Sequence, residues 1–90
     1  MPVESSKVSI PNGSAVEIVG SDNMSQDVAI TNASADNPIF LDGDDSVSAS
    51  TGFPLKKEES ITFTLGPGDK IFGIANAAGV EANVLVITAD

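Results

Sequence analysis

Acidic side chains are where chemistry would begin in this sequence. Asp42-Gly43-Asp44-Asp45 packs three carboxylates into four residues. Calcium takes roughly six to eight oxygen ligands, and clustered Asp can supply several. An EF-hand loop starting at Asp42 fails, because Val47 stands where the glycine belongs and Phe53 where the closing glutamate belongs. Asp-Gly is also a strong hairpin signal, so the segment reads as a solvated turn, with calcium binding as the alternative. Asp22-Asn23 with Asp27 reads as an Asx-rich turn for the same reason. Glycoside hydrolysis needs two carboxylates across a cleft, one with a raised pKa. Thirteen Asp and Glu supply acidic pairs everywhere, so their number selects no site. A Ser-Lys dyad could be drawn from Ser60 with Lys56 or Lys57. No nucleophile elbow surrounds Ser60, and Lys56-Lys57-Glu58-Glu59 reads as a charged turn. Gly66-Pro67-Gly68-Asp69 lacks the Lys and Ser/Thr of a phosphate-binding loop and places an acid where phosphate would sit.

The missing residue types narrow the field further. The chain has no Cys, His, Arg, Trp or Tyr. That removes a disulfide framework, a thiolate zinc site and a cysteine nucleophile. It also removes the commonest general base and the Ser-His-Asp triad. Four Lys against thirteen acids leave a net charge of −9, which repels phosphate backbones and anionic membrane surfaces. No apolar run approaches the roughly 18 residues needed to span a bilayer. Met1 to Lys7 has no apolar stretch of the kind a signal peptide needs. The composition therefore predicts a protein that is not an enzyme, with no cofactor, no resident metal, and neither nucleic acid nor membrane as a partner.

What remains is an arrangement of strands. Val and Ile together number seventeen against four Leu, and β-branched side chains favour a pleated surface over a helix. Gly, Pro, Asn, Asp and Ser interrupt the chain roughly every eight to twelve residues, the spacing of a sandwich or barrel. Alternating or apolar runs predict strands at Lys7–Ile10, Val16–Ile18, Asp27–Asn32, Ile39–Leu41, Ser46–Ser50, Ser60–Leu65, Lys70–Ala75 and Glu81–Thr88. Thr51–Leu55 reads as extended but broken by Pro54. In Ser60–Leu65, Ile61, Phe63 and Leu65 share one face. In the last strand the run Val84-Leu85-Val86-Ile87 calls for cover on both faces. The expected fold is all-β, a compact antiparallel β-sandwich or small β-barrel of about seven or eight short strands. Its surest core residues are Ile61, Phe63, Leu65, Val84 and Val86. Residues 1–6 are expected to form a flexible N-terminal arm and residues 7–90 a single β domain.

Apolar residues beside turns are the candidates for contact with a partner. Gly52-Phe53-Pro54-Leu55 sets a Phe and a Leu about a Pro, suited either to capping an open sandwich end or to anchoring an interface. With the apolar residues near the N-terminus, the candidate interface is Val3, Val8, Ile10, Phe53, Pro54 and Leu55.

Several strings carry a resemblance. A Val-Ala-Ile-Thr-Asn strand is followed by Ile39-Phe40-Leu41-Asp42-Gly43 and then by Gly52-Phe53-Pro54-Leu55. Glu59-Ser60-Ile61-Thr62-Phe63 and Gly68-Asp69-Lys70-Ile71-Phe72-Gly73-Ile74-Ala75 come after them. From about Val28 to Thr88 this order resembles the small all-β virion proteins of tailed bacteriophages, notably those infecting actinobacteria. Such proteins serve as head decoration (cement) proteins or other minor structural proteins. The resemblance implies a non-catalytic subunit that binds repeated sites on the lattice of the major capsid protein or on another virion protein. It implies a homo-oligomer, with a trimer about a symmetry axis favoured, assembled in the host cytoplasm and residing on the capsid surface. The alternative is a receptor- or carbohydrate-binding module of a phage fibre or neck, or an adhesin-like domain, in which Asp42, Asp44 and Asp45 would hold calcium.

Overall fold

Side chains alternate across a strand, so a chain with apolar residues at every second position can bury one face of a sheet. A computed structural model describes residues 3–88. It contains eight strands: β1 (Val3–Ile10), β2 (Val16–Val19), β3 (Gln26–Asn32), β4 (Ile39–Asp42), β5 (Phe53–Leu55), β6 (Ser60–Leu65), β7 (Ile71–Ala75) and β8 (Val80–Thr88). They form two four-stranded antiparallel sheets, ordered β1-β8-β3-β6 and β2-β7-β4-β5. Successive strands mostly belong to opposite sheets, the arrangement of an eight-stranded jelly roll. The expected all-β sandwich is thus observed. No helix among the described residues is long and apolar enough to cross a membrane.

The core lies between the sheets. Val28 and Ile30 of β3 and Val80, Ala82 and Val84 of β8 face Ile18 and Val19 of β2, Ile39 and Leu41 of β4 and Ala75 of β7. Leu65 and Val84 are buried, as the sequence predicts, while Ile61, Phe63 and Val86 are partly buried and pack against the same cluster. One polar residue sits deep in this core. Asn32 donates from Nδ2 to the carbonyls of Asn37 at 2.8 Å and Leu55 at 3.0 Å. Its Oδ1 accepts the Ser34 amide at 2.8 Å. Every polar group of this buried amide that faces a neighbour is thereby used, which removes the cost of burying it. The bonds also tie the end of β3 to the second sheet.

Two expectations about the strands are corrected. Residues 3–6, expected in an N-terminal arm, belong to β1, which pairs with β8 in unbroken register from Val3↔Ile87 to Ile10↔Val80. The long β8 extends past Val84 and offers backbone partners to these residues, although their own side chains are exposed. Met1 and Pro2 of the expected arm lie outside the described residues, as do Ala89 and Asp90. Ser46–Ser50, expected as a strand, is turn instead. Its hydroxyls compete for the backbone: the Thr51 and Gly52 amides donate to the Ser48 carbonyl at 3.3 and 2.8 Å, and Ser48 Oγ bonds Thr51 Oγ1 at 2.9 Å. Phe53–Leu55 does form a strand despite Pro54. β5 is the edge of its sheet, where a missing N–H is tolerated.

Candidate functional site

The two sheets turn very different outer faces to their surroundings. On the second sheet, Ile39 and Leu41 point into the core, so Phe40 between them points out. The β4–β5 segment folds back over it. Val47 is only 5% exposed. Gly52 lies so close that a methyl group there would sit 2.7 Å from Phe40 Cβ, 2.9 Å from Val47 Cγ2 and 3.0 Å from the Ser48 carbonyl. Only a residue without a side chain lets this segment close down on the sheet.

The outer face of the first sheet carries no such cover. Its side chains form ranks across four strands, set by the observed register. One rank is Val3, Ile87, Asp27 and Thr64; the next is Ser5, Leu85, Ala29 and Thr62; the third is Lys7, Asn83, Thr31 and Ser60. Ser9 and Glu81 close the face at one end. Most of these side chains are small. Thr64 Oγ1 donates to Asp27 Oδ1 at 2.7 Å, and the Thr31 and Ser60 hydroxyls share a hydrogen bond of 2.6 Å. Leu85 rises from the middle of the face, 40% exposed, and Val3 is 60% exposed. A groove of about 290 Å³ runs along one side of Leu85, over Ala29, Thr62 and Thr64. Another of about 560 Å³ runs along the other side, over Ser5, Lys7, Thr31 and Asn83.

A third surface feature is an apolar cleft of about 290 Å³ at the β6 edge, between the sheets. Leu41, Phe53, Ile61, Phe63 and Ile71 line it, with Asp42 at the rim. Phe53 is 58% exposed there.

The residues expected to form an interface do not come together. Val3 lies on the outer face of the first sheet, at the β1 edge, while Phe53 and Pro54 are exposed on β5 of the second sheet. Ile10 and Leu55 are core residues and offer nothing to a partner, and Val8 is half-buried against the same core. Alternation explains this: Val8 and Ile10 share the inward parity of β1, and Leu55 the inward parity of β5. Leu85 and Ile87 were not among the expected contact residues, although the apolar run from Val84 to Ile87 had signalled apolar side chains on both faces of β8.

The acidic clusters are engaged locally. Asp42 Oδ1 accepts the Gly43 amide at 2.7 Å, and Asp44 Oδ1 accepts the Ser46 amide at 2.9 Å. The Ser46 amide, then the Ser46 hydroxyl and the Asp45 side chain, hold the Asp44 carboxyl below the usual carboxylate range. Asp22 Oδ1 accepts the Met24 amide at 3.0 Å. Among the described residues, no three acidic side chains converge on a point where a metal ion would sit.

Comparison with known proteins bears on the architecture. The sequence matches no protein-family model and no curated protein. Solved structures do match its fold. A protein of Bacillus endospore appendages, described as disulfide-linked pili, is 16% identical with a TM-score of 0.53 over 98% of this chain and 89% of that one. A cupin domain from Bordetella pertussis Tohama I is 12% identical with a TM-score of 0.54, covering 98% of this chain and 82% of that one. A de novo designed double-stranded β-helix is 13% identical with a TM-score of 0.50, over 99% of this chain and 100% of that one. At such identities the likeness extends to the backbone alone, and one fold of this kind hosts many unrelated activities. The chain is a small all-β protein with the two-sheet, cupin-like jelly-roll fold.

Proposed function

We propose that this protein is a structural subunit of a repeated assembly: a decoration, or cement, protein of the tailed-bacteriophage type. In this reading it binds repeated sites on the major capsid protein lattice and performs no catalysis. It is made in the host cytoplasm and ends on the capsid surface. The observation that carries the reading is the division of labour within the sandwich. Its interior is filled by aliphatic side chains, whereas Leu85, Ile87 and Val3 stand on the outer face of the first sheet. A filled interior suits a block that is stacked, and an uncovered face with apolar relief suits contact with a further subunit of the assembly, a second copy of this chain included.

Other features agree with this reading. The jelly roll serves in viral capsids as well as in lectins and cupins. One solved neighbour comes from pili, which are also repeated assemblies. This chain has no cysteine, so an assembly built from it would not be held by disulfides between its copies. On a regular lattice many equal weak contacts suffice, because each bound subunit raises the effective concentration for the next. The charge of −9 keeps the free subunit dispersed until it docks.

The alternative, a receptor- or carbohydrate-binding module, has one observation in its favour: Phe53 stands exposed at the mouth of the apolar cleft with Asp42 at its rim. Co-expression with the major capsid protein of the same genome separates the two readings. Decoration predicts that the 9.1 kDa chain co-sediments with assembled capsids at a fixed ratio. Capsids that sediment without it, together with glycan-array binding lost on Phe53→Ala, would favour the alternative.

A further inference from the structure

We infer that the outer face of the first sheet pairs with the same face of a second copy of this chain, across a two-fold axis running along the strands between β8 and β3. The face is self-complementary in shape. Its central knob, Leu85, stands on β8 directly beside Ala29 on β3, and a groove borders it on each side. The proposed axis exchanges β8 with β3 and preserves the ranks. Leu85 of each copy then settles over Ala29 of the other, in the groove edged by Thr62. A contact made by one patch with itself is what a closed pair requires. Twisted sheets stacked face to face cross at about 30°, so the contact is densest in this central rank and opens towards the corners.

Charge selects a second copy over other occupants. The chain carries −9, yet this face holds only Lys7 against Asp27 and Glu81. An acidic chain can approach its own copy only through a surface where charge nearly balances, while a basic partner would be drawn to the acidic turns elsewhere. The same axis sets Lys7 of each copy over the Ser60 end of the other's β6, beside Glu58 and Glu59. The sequence of β8 points the same way. A run such as Val84-Leu85-Val86-Ile87 belongs to a strand covered on both sides, and the chain itself covers one. Four strands about 4.8 Å apart and four ranks about 6.8 Å apart give a face on the order of 500 Å². Two copies then bury on the order of 1,000 Å², the lower bound for a specific interface and suited to a reversible pair.

The experiment is the mass of the full chain in solution by sedimentation equilibrium, from ~1 μM to ~1 mM. The expected result is a mass that rises from 9.1 kDa towards twice that value. Leu85→Asp, and separately Thr62→Arg, weaken the pairing at least tenfold while circular dichroism and melting stay unchanged. Thr62 is an exposed groove residue, so its variant decides the matter if Leu85→Asp folds poorly. Phe53→Asp, on the other sheet, leaves pairing intact. A wild-type mass fixed at 9.1 kDa throughout overturns the inference. So does a dimer or trimer that neither face variant weakens, or one that Phe53→Asp dissolves. Pairing of the purified chain needs no capsid, so its failure is distinct from a failure to decorate one.

Discussion

On one side of the sandwich, Phe40 points outward and the chain spends the Gly43–Gly52 segment to cover it, with Val47 as the lid residue. On the other side, Leu85 points outward and no segment among the described residues crosses it. The covered face is built around an aromatic side chain and closed by a glycine that admits a close approach. The bare face is paved largely with Ser, Thr and Ala; the Thr31 and Ser60 hydroxyls bond each other, and Thr64 donates to Asp27. A sheet face of the second kind is stable in water without a cover, because little apolar area is left exposed by each small side chain. The contrast separates apolar groups that the chain itself covers from apolar groups left exposed on a sheet face.

The largest effects should come from the covered side. Val47→Asp places an unpaired carboxylate under the lid and should cost about 3 kcal/mol. Leu85→Asp, the same chemical change on the bare face, should alter monomer stability by no more than about 0.5 kcal/mol. Urea unfolding of the two variants side by side measures the difference, and equal losses would abolish the distinction between the faces. Next comes the tie between the sheets. Asn32→Ala leaves the Asn37 and Leu55 carbonyls and the Ser34 amide without their partner and should cost about 2 kcal/mol. A neutral result would mean that water replaces the amide without loss.

Gly52→Ala should cost about 1–2 kcal/mol, because the added methyl meets Phe40, Val47 and the Ser48 carbonyl. Its signature is faster hydrogen exchange confined to the Gly43–Gly52 segment, with the first sheet unchanged. The smallest effect is electrostatic. The Asp44 carboxyl titrates below its unfolded value, so its contribution to stability is complete above the unfolded pKa and is lost as pH falls through the folded one. Acid titration below about pH 4 should therefore show a slightly smaller stability loss for Asp44→Asn than for the wild type. Because the group is fully exposed, screening makes this a small slope.

Most strands were legible because their apolar spacing is local information: Ser60–Leu65 alternates cleanly and appears with the same bounds as β6. Two kinds of information were not local. Ser46–Ser50 alternates as well as a strand does, yet Ser48 turns the chain with its own carbonyl and hydroxyl, and Val47 is buried near Gly52 and Phe40. Val3 joins β1 only because β8 is long enough to pair with it. Of the residues expected at a contact surface, Val3 and Phe53 are exposed, but strand parity, which needs the inward direction to be known, sends Ile10 and Leu55 to the core. The same parity brings Leu85 to the surface, and only the register shows that its neighbours are Ser5 and Ala29.

The position of β8 bears on how the molecule is made. It lies between β1 and β3, and it is the last of the described strands in chain order. While a ribosome is still threading out the earlier segments, β1 has no partner within its sheet, and Ile10, Val28 and Ile30 lack the Val80, Ala82 and Val84 that complete their surroundings. The first sheet therefore closes only once β8 has emerged, in a step that joins strands far apart in the sequence. Until then the nascent chain displays an open sheet edge beside apolar side chains, which makes this interval the time at which crowding by sister chains is most hazardous.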